Sequence, residues 1–226
     1  MSIEIFDRGS RDFTRQTDAA VAEGAYLRGR LFADAIAAGT PAGEVVLDYG
    51  CGPGRIGAMI ADRGFRVDGR DPSPLMLAEA RKLPHDPERI SFSLATGHGE
   101  ALLDGHYGAI VCSSVIEFVP EPARLLRHFH RATKPGALLA LSFSNRRSLW
   151  GAYARWRYEQ PHFAVQFNVW TFQQTRTALA ENGFRVISAP VYYEASPFDK
   201  RPPLKFLSAS VWVGTLGFIT ARRIGA

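Results

Sequence analysis

The stretch from Val46 to Gly57, VLDYGCGPGRIG, places glycines at 50, 52, 54 and 57 directly behind an apolar run. A short apolar run, a glycine-rich turn and then an apolar-periodic segment read as strand, tight turn and helix. In an open parallel sheet such a turn stands at the carboxyl ends of the strands, where ligands bind at the reversal of strand order. Missing side chains let the main chain approach a ligand closely, with amide groups available as donors. Two parsings imply different ligands. Gly52, Gly54 and Gly57 give G-x-G-x-x-G, with Asp71 nineteen positions after Gly52, the arrangement of a nicotinamide-dependent oxidoreductase. Asp48, Gly50, Gly52 and Gly54 instead give D-x-G-x-G-x-G. The second frame is favoured, because in a dinucleotide turn the first glycine follows the strand directly, whereas here DYG intervenes.

The surrounding pattern alternates strand-length apolar runs with helix-length amphipathic stretches, which predicts a Rossmann-like, doubly wound α/β sheet with helices on both faces. A helix over about 25–38 leads through GTPAG into a first strand, EVVLDYG, and the glycine turn opens a helix to about Arg63. FRVDGRD is a second strand ending at Asp71, followed by a helix capped by Ser73 with Pro74 in its first turn. RISFSLATG, YGAIVCSSV and KPGALLALSFS are the third to fifth strands, with the helix EPARLLRHFHRAT before the fifth. TFQQTRTALAENGF is a helix stopped by Asn182 and Gly183, and RVISAPVYYEA and VWVGTLGFITARR are the last two strands. No repeat or linker divides the chain, so residues 1–226 read as one domain with an N-terminal helical segment over 1–40 and an insert at about 145–170.

The 226 residues, 46% of them hydrophobic, suffice for a large core without external staples. Cys51 and Cys112 are far apart and outside any metal-ligand spacing, which reads as two reduced thiols. Charges at Glu4, Asp7 and Arg8 interrupt any signal-like segment, so a cytoplasmic protein is expected. The uncharged stretch Ser208–Ala221 is shorter than the ~18 residues of a membrane span. A net charge of +5 either favours anionic partners or reflects an arginine-rich surface.

The series VLDYGCGPG, VDGRDPSPLMLAEAR, ATGHGEAL, YGAIVCSSVIEFVPEP and TKPGALLALSFSN resembles the class I S-adenosylmethionine-dependent methyltransferases in order and spacing, over about residues 26–226. It is most similar to the small-molecule, quinone-precursor members. The resemblance implies a seven-stranded, mostly parallel sheet closed by an antiparallel C-terminal strand. It implies S-adenosylmethionine as cofactor, with Asp48, Gly50, Cys51, Gly52 and Gly54 around its methionine tail and ribose and Asp71 on the ribose hydroxyls. Pro72 and Met76 would flank the adenine, Gly97, His98 and Gly99 would follow its edge, and Ser113 would face the cofactor. His98 stands where relatives usually carry Asp; a neutral imidazole still accepts at one nitrogen.

On the acceptor side, the Asn/Asp-Pro-Pro-aromatic turn of base and glutamine methyltransferases is absent after the fourth strand, which makes nucleic acid an unlikely partner. Ser114 and Phe118 replace the acid and histidine found in quinone-precursor enzymes around Glu117, so a metal-assisted mechanism lacks its ligands and no metal is expected. Glu117 is a candidate carboxylate or a plain structural acid. His162 is the best histidine candidate for an acceptor-side base, with Tyr153 as a hydroxyl partner; Tyr192, Tyr193 and Glu194 are secondary candidates. Trp150, Tyr153, Ala154 and Arg157 fall on one helix face beside Trp156. That face reads as a lid over a hydrophobic, aromatic or anionic acceptor, with Arg146, Arg147, Arg155 or Arg157 meeting an anionic group. Its alternatives are an anionic-lipid contact, internal packing or a subunit interface, in a monomer or homodimer. The expected activity is methylation of a small molecule at oxygen; nucleic-acid or protein methylation, an oxidoreductase and a non-catalytic partner subunit are the alternatives.

Overall fold

The computed structural model describes residues 2–22, 26–95, 102–157, 166–193, 211–212 and 214–225. At its centre β1 (Val45–Tyr49) runs parallel to β2 (Arg66–Asp71) on one side and to β4 (Tyr107–Cys112) on the other. β3 (Ile90–Leu94) extends the sheet beyond β2, and β5 (Thr133–Ser144) extends it beyond β4, both parallel. β8 (Leu216–Arg223) then pairs antiparallel with β5. β6 (Phe184–Val186) and β7 (Val191–Tyr193) pair with the two ends of β8, so the eight strands fill seven lanes in the order β3-β2-β1-β4-β5-β8-β6/β7. The sheet is the expected Rossmann-like one, with strand order reversing between β1 and β4.

Two differences at its edge have local causes. RVISAPVYYEA is two strands because Pro190 has no N–H to give the ladder, and here Thr220 N donates to the Ser188 hydroxyl instead. β8 starts at Leu216 instead of near Val211. The carbonyls of Val211 and Gly214 accept from the Asn145 amide (2.7 and 2.8 Å), which holds this segment as a turn.

Strand alternation divides the core between the two faces. Val46, Val111 and Ala140 face α2 (Leu27–Gly39) and α3 (Arg55–Ala61), through Phe32, Ile36 and Ile60. Leu47, Ile110 and Leu139 face α5 (Pro122–Ala132) and α7 (Phe172–Glu181), through Leu125, Phe129 and Leu179. α4 (Pro74–Ala80) carries the predicted cap: Ser73 Oγ accepts from Met76 N at 3.0 Å, and Pro74 opens the helix. α7 begins with a reciprocal box between Thr171 and Gln174.

α1 (Ser2–Ala22) is of another kind. Among the described residues none of its side chains enters either apolar core; its buried face is Ser10, Thr14 and Thr17, the two threonines donating back to the carbonyls of Ser10 and Phe13. The insert contributes α6 (Leu149–Arg157). No helix among the described residues is long and apolar enough to cross a membrane.

Candidate functional site

The carboxyl ends of β1 and β2 meet at a dense set of bonds. Arg70 O accepts from both Gly50 N (2.7 Å) and Cys51 N (3.0 Å), Gly54 N donates to Cys51 O (2.9 Å), and Gly52 N donates to Asp71 Oδ2 (2.8 Å). Asp71 Oδ1 accepts from Ser73 N at 2.8 Å, so one carboxylate ties the glycine loop to the start of α4. The loop amides at 50, 51, 52 and 54 are thus spent inside the protein, where the sequence led us to expect free donors. The carboxylate between them retains lone pairs for a hydroxyl donor.

The glycines separate by function. A Cβ at Gly50 would overlap Val115, and one at Gly54 would meet the Phe92 ring at 2.8 Å; both are required by packing. At Gly52, where φ is +52°, the nearest neighbour of a Cβ is Phe13 Cε1 at 4.0 Å, so space opens above this residue. Gly57 is empty to make room for Asp48, whose Oδ2 would lie 3.2 Å from a Cβ there. Val67 Cγ1 would lie at the same distance, so this glycine lets α3 pack closely on β1 and β2. The Cys51 thiol turns toward Gly69 of β2, and burial raises its pKa well above the ordinary value.

Asp48 is 2% exposed and accepts from the Gly57 amide, while its Oδ2 has no hydrogen-bond partner among the described residues. Burial first, then the charge of Asp71, push its pKa from 3.8 up to about 7 against the opposing Gly57 amide. Burial likewise lifts Asp71 to about 6, with the Ser73 and Gly52 amides pulling down and Asp7 pushing up. Two buried acids, one with an unpartnered oxygen, form a site short of positive charge.

α1 lies over this site. Asp7 accepts from the Ser73 hydroxyl, Asp18 pairs with Arg55 at the start of α3, and Phe13 stands above Gly52. At the far side Phe6 meets Phe118 edge to face, with ring centroids 5.0 Å apart.

Phe118 belongs to a 3₁₀ turn, Ile116–Phe118, just past β4. Ser114 before it holds φ = +53°, the single non-glycine residue in the left-handed region among those described, and its N–H donates to Ser142 Oγ at 2.8 Å. Glu117, 2% exposed, accepts from Ser144 Oγ at 3.4 Å, and Ser144 Oγ accepts from Gln166 Nε2 at 3.3 Å. Asn168 fixes the same turn, donating to the carbonyls of Ile116 and Val119.

The methyltransferase domain family matches residues 22–189. The chain belongs to this family. Its cofactor is S-adenosylmethionine. The chain is 37% identical over 109 residues to the ubiquinone biosynthesis O-methyltransferase of Pseudomonas paraeruginosa, a match covering 46% of each. It thus spans about half the length of the curated relatives it matches. In fold it is similar to an S-adenosylmethionine-dependent methyltransferase of Thermotoga maritima (18% identity, TM-score 0.74, 98% of this chain and 99% of that one). It also resembles the magnesium protoporphyrin IX methyltransferase of Synechocystis, solved with S-adenosylhomocysteine (21% identity, TM-score 0.60, 85% and 80%).

In this methyltransferase fold the residues present suit the cofactor: the opening above Gly52, the shared carboxylate of Asp71 and the unpartnered oxygen of Asp48 stand together. Ser113 is buried at the end of β4, its hydroxyl without a partner among the described residues. Pro72 is exposed beside Asp71, whereas Met76 is packed inward and Leu75 is the exposed neighbour. Gly97, His98, Gly99, His162 and Glu194 lie outside the described residues. Tyr192 and Tyr193 are core residues on opposite faces of the sheet, a correction to the expectation that they face an acceptor, since consecutive strand residues alternate. Tyr153 is half-buried on α6, with its ring 5.9 Å from that of Trp156, which is 79% exposed. No group of three His, Cys, Asp or Glu side chains suited to a metal occurs among the described residues. Sequence reasoning missed Asp7, Phe13, Ser144, Gln166 and Asn168, all of which reach the site from segments distant in the chain.

Proposed function

We propose that the protein transfers a methyl group from S-adenosylmethionine to a hydroxyl of a small molecule. The observation that carries the reading is the pairing, along one edge of the sheet, of the Asp48–Gly52–Asp71 site at β1 and β2 with the buried Glu117 carboxylate past β4. The identity to relatives named as O-methyltransferases supports oxygen as the acceptor.

When bound, the cofactor supplies an electrophilic methyl on a sulfonium. Asp71 would accept from its ribose hydroxyls and Asp48 would face the ammonium of its methionine tail. Methyl transfer would form a C–O bond to the acceptor with the S–C pair leaving on sulfur, so S-adenosylhomocysteine would be the by-product. Glu117 takes the proton of the acceptor hydroxyl. α1 covers the cofactor and excludes water, and Phe6 and Phe118 form an apolar wall beside the acceptor. Incubation with methyl-labelled cofactor and a panel of hydroxylated aromatics should give a labelled ether, lost with Glu117→Gln while S-adenosylhomocysteine still binds. Transfer confined to nitrogen would exclude this reading.

The outer face of α6 supports a second, separate reading. Leu149 (64% exposed) and Trp156 lie seven positions apart on one face, Leu149 N donates to Trp212 O, and Arg146 and Arg147 are exposed beside them. Apolar and aromatic groups flanked by arginine suit an anionic lipid surface. Sedimentation with vesicles containing phosphatidylglycerol, but not with pure phosphatidylcholine vesicles, is the expected outcome.

A further inference from the structure

The hydrogen bonds from Gln166 through Ser144 to Glu117 have a fixed direction. An ionised carboxylate only accepts, so Ser144 must donate its proton to Glu117 and in turn accept from the NH₂ of Gln166. This orients the amide: its nitrogen is committed, and its Oε1 is turned to the other side. That oxygen is buried and accepts from no group among the described residues. Ser113 Oγ, nine-tenths buried at the neighbouring end of β4, is in the same position. Both are held in rigid surroundings. Phe167 N and Asn168 N donate to Glu117 O at 2.7 and 3.1 Å, and Trp170 N donates to Ser144 O at 2.9 Å, so residues 166–170 are locked to the turn and to β5. A buried carbonyl oxygen left without a donor is costly and rare, and a ligand's proton is the natural complement to one beside a site.

We infer that Gln166 is a specificity-determining residue of the acceptor site: its Oε1 takes a hydrogen bond from the acceptor molecule, so the site selects molecules that present a donor hydroxyl. The inference rests on the functional reading above and adds to it the residue that does the selecting. Gln166 offers an acceptor oxygen to the incoming molecule beside the hydroxyl that meets Glu117, so a second hydroxyl satisfies it while an ether or a carboxylate there leaves it unpaired or repelled. Ser144 is a positioning residue, since it sets which end of the amide is presented. The apolar Phe6–Phe118 pair beside the turn makes an aromatic hydroxyl the suitable probe.

Catechol and guaiacol differ by this one donor, and each keeps a second hydroxyl for Glu117. Each is titrated by ligand-observed NMR against protein saturated with S-adenosylhomocysteine, for the wild type, Gln166→Met and Ser144→Ala. The expected result is a preference for catechol of about threefold to tenfold, the worth of one net hydrogen bond. It should fall to about one in Gln166→Met and be reduced in Ser144→Ala, with S-adenosylhomocysteine affinity unchanged in both. No preference in the wild type, failure of catechol to bind, or a preference intact in Gln166→Met overturns the inference. Equal weakening of both probes overturns it too, because a merely structural glutamine would act that way. Should Gln166→Met not fold, Ser144→Ala decides, and an undiminished preference there sinks the inference. A wild type that fails to bind S-adenosylhomocysteine would instead overturn the functional reading beneath it.

Discussion

At the scale of single residues, the glycine loop separates groups that shape the protein from groups that leave room for a ligand. Gly50 has φ = +75° and no space for a Cβ beside Val115, whereas Gly52 has φ = +52° and open space. Both alanine variants bear a left-handed backbone cost of about 1–2 kcal/mol. Gly50→Ala should lose further stability through the Val115 overlap, partly restored by Val115→Ala. Gly52→Ala should stay closer to wild type in thermal midpoint but weaken S-adenosylhomocysteine in calorimetry. Asp48 carries a pH prediction. Its folded pKa, about 7, lies above the ordinary 3.8, so its contribution to stability is complete below about pH 4 and is lost as pH rises through 7. Asp48→Asn should therefore stabilise the ligand-free protein at pH 8, on the order of 1–3 kcal/mol, with the gain shrinking as pH falls and little of it left below about pH 4. The same variant should weaken the cofactor, and wild-type affinity for this cation should rise between pH 5 and 8. A flat profile in both measurements would remove Asp48 from the site. These acids were legible in the sequence because a carboxylate at the end of a strand is conspicuous beside a glycine turn. The partners of Gly50 and Gly57 were not, since Val115 and the enclosed face of Asp48 become neighbours only after the sheet forms.

At the scale of elements, α1 is held to the proposed cofactor site rather than to the cores. Its contacts are a carboxylate on the Ser73 cap, an ion pair from Asp18 to Arg55, and two phenylalanines over the loop and the acceptor turn. Partly exposed polar links of this kind add little to global stability. Removing residues 1–25 should thus shift the thermal midpoint of the ligand-free chain by only a few degrees, while S-adenosylhomocysteine dissociates roughly tenfold faster in stopped-flow measurements, as expected for loss of a cover. A large loss of midpoint with unchanged dissociation would show instead that α1 is a structural brace. Helicity over 1–40 was legible from the sequence, but the docking face was not: Ser10, Thr14 and Thr17 give no apolar stripe. The relay through Ser144 and Gln166 was hidden for a related reason, joining residues that sit 22 and 27 positions apart on a strand, a turn and the end of an insert.

At the scale of the whole molecule, the proposed function gives the two halves of the sheet two tasks. β1 and β2 carry Asp48, the glycine loop and Asp71; β4 and β5 carry Ser113, Glu117 and Ser144. The chain leaves β1 outward in one direction and returns to build β4 and β5 in the other, so the crevice between β1 and β4 faces both sets. This much was legible from the alternation of apolar runs, because burial on both faces imposes it on the sequence. The choice of ligand was the ambiguous part, since one glycine stretch fits two frames. The hydrogen bonds of the loop bear on it: the amides of residues 50, 51, 52 and 54 are bonded within the protein, Gly52 to Asp71, which leaves the dinucleotide frame without an unengaged first turn. The consequence is a thermodynamic one. A ligand at 100 times its dissociation constant stabilises by roughly 2.7 kcal/mol, about 5–10 °C in midpoint for a chain of this size. S-adenosylmethionine and S-adenosylhomocysteine should each produce a shift of that order in a thermal melt, with the cationic S-adenosylmethionine gaining on S-adenosylhomocysteine as pH rises and Asp48 ionises. NADH should produce none, because no amide of residues 50, 51, 52 or 54 remains to meet a pyrophosphate. A shift with NADH alone would mean that those four amides exchange their partners on binding, and the division of the sheet into cofactor and acceptor halves would have to be redrawn around the other frame.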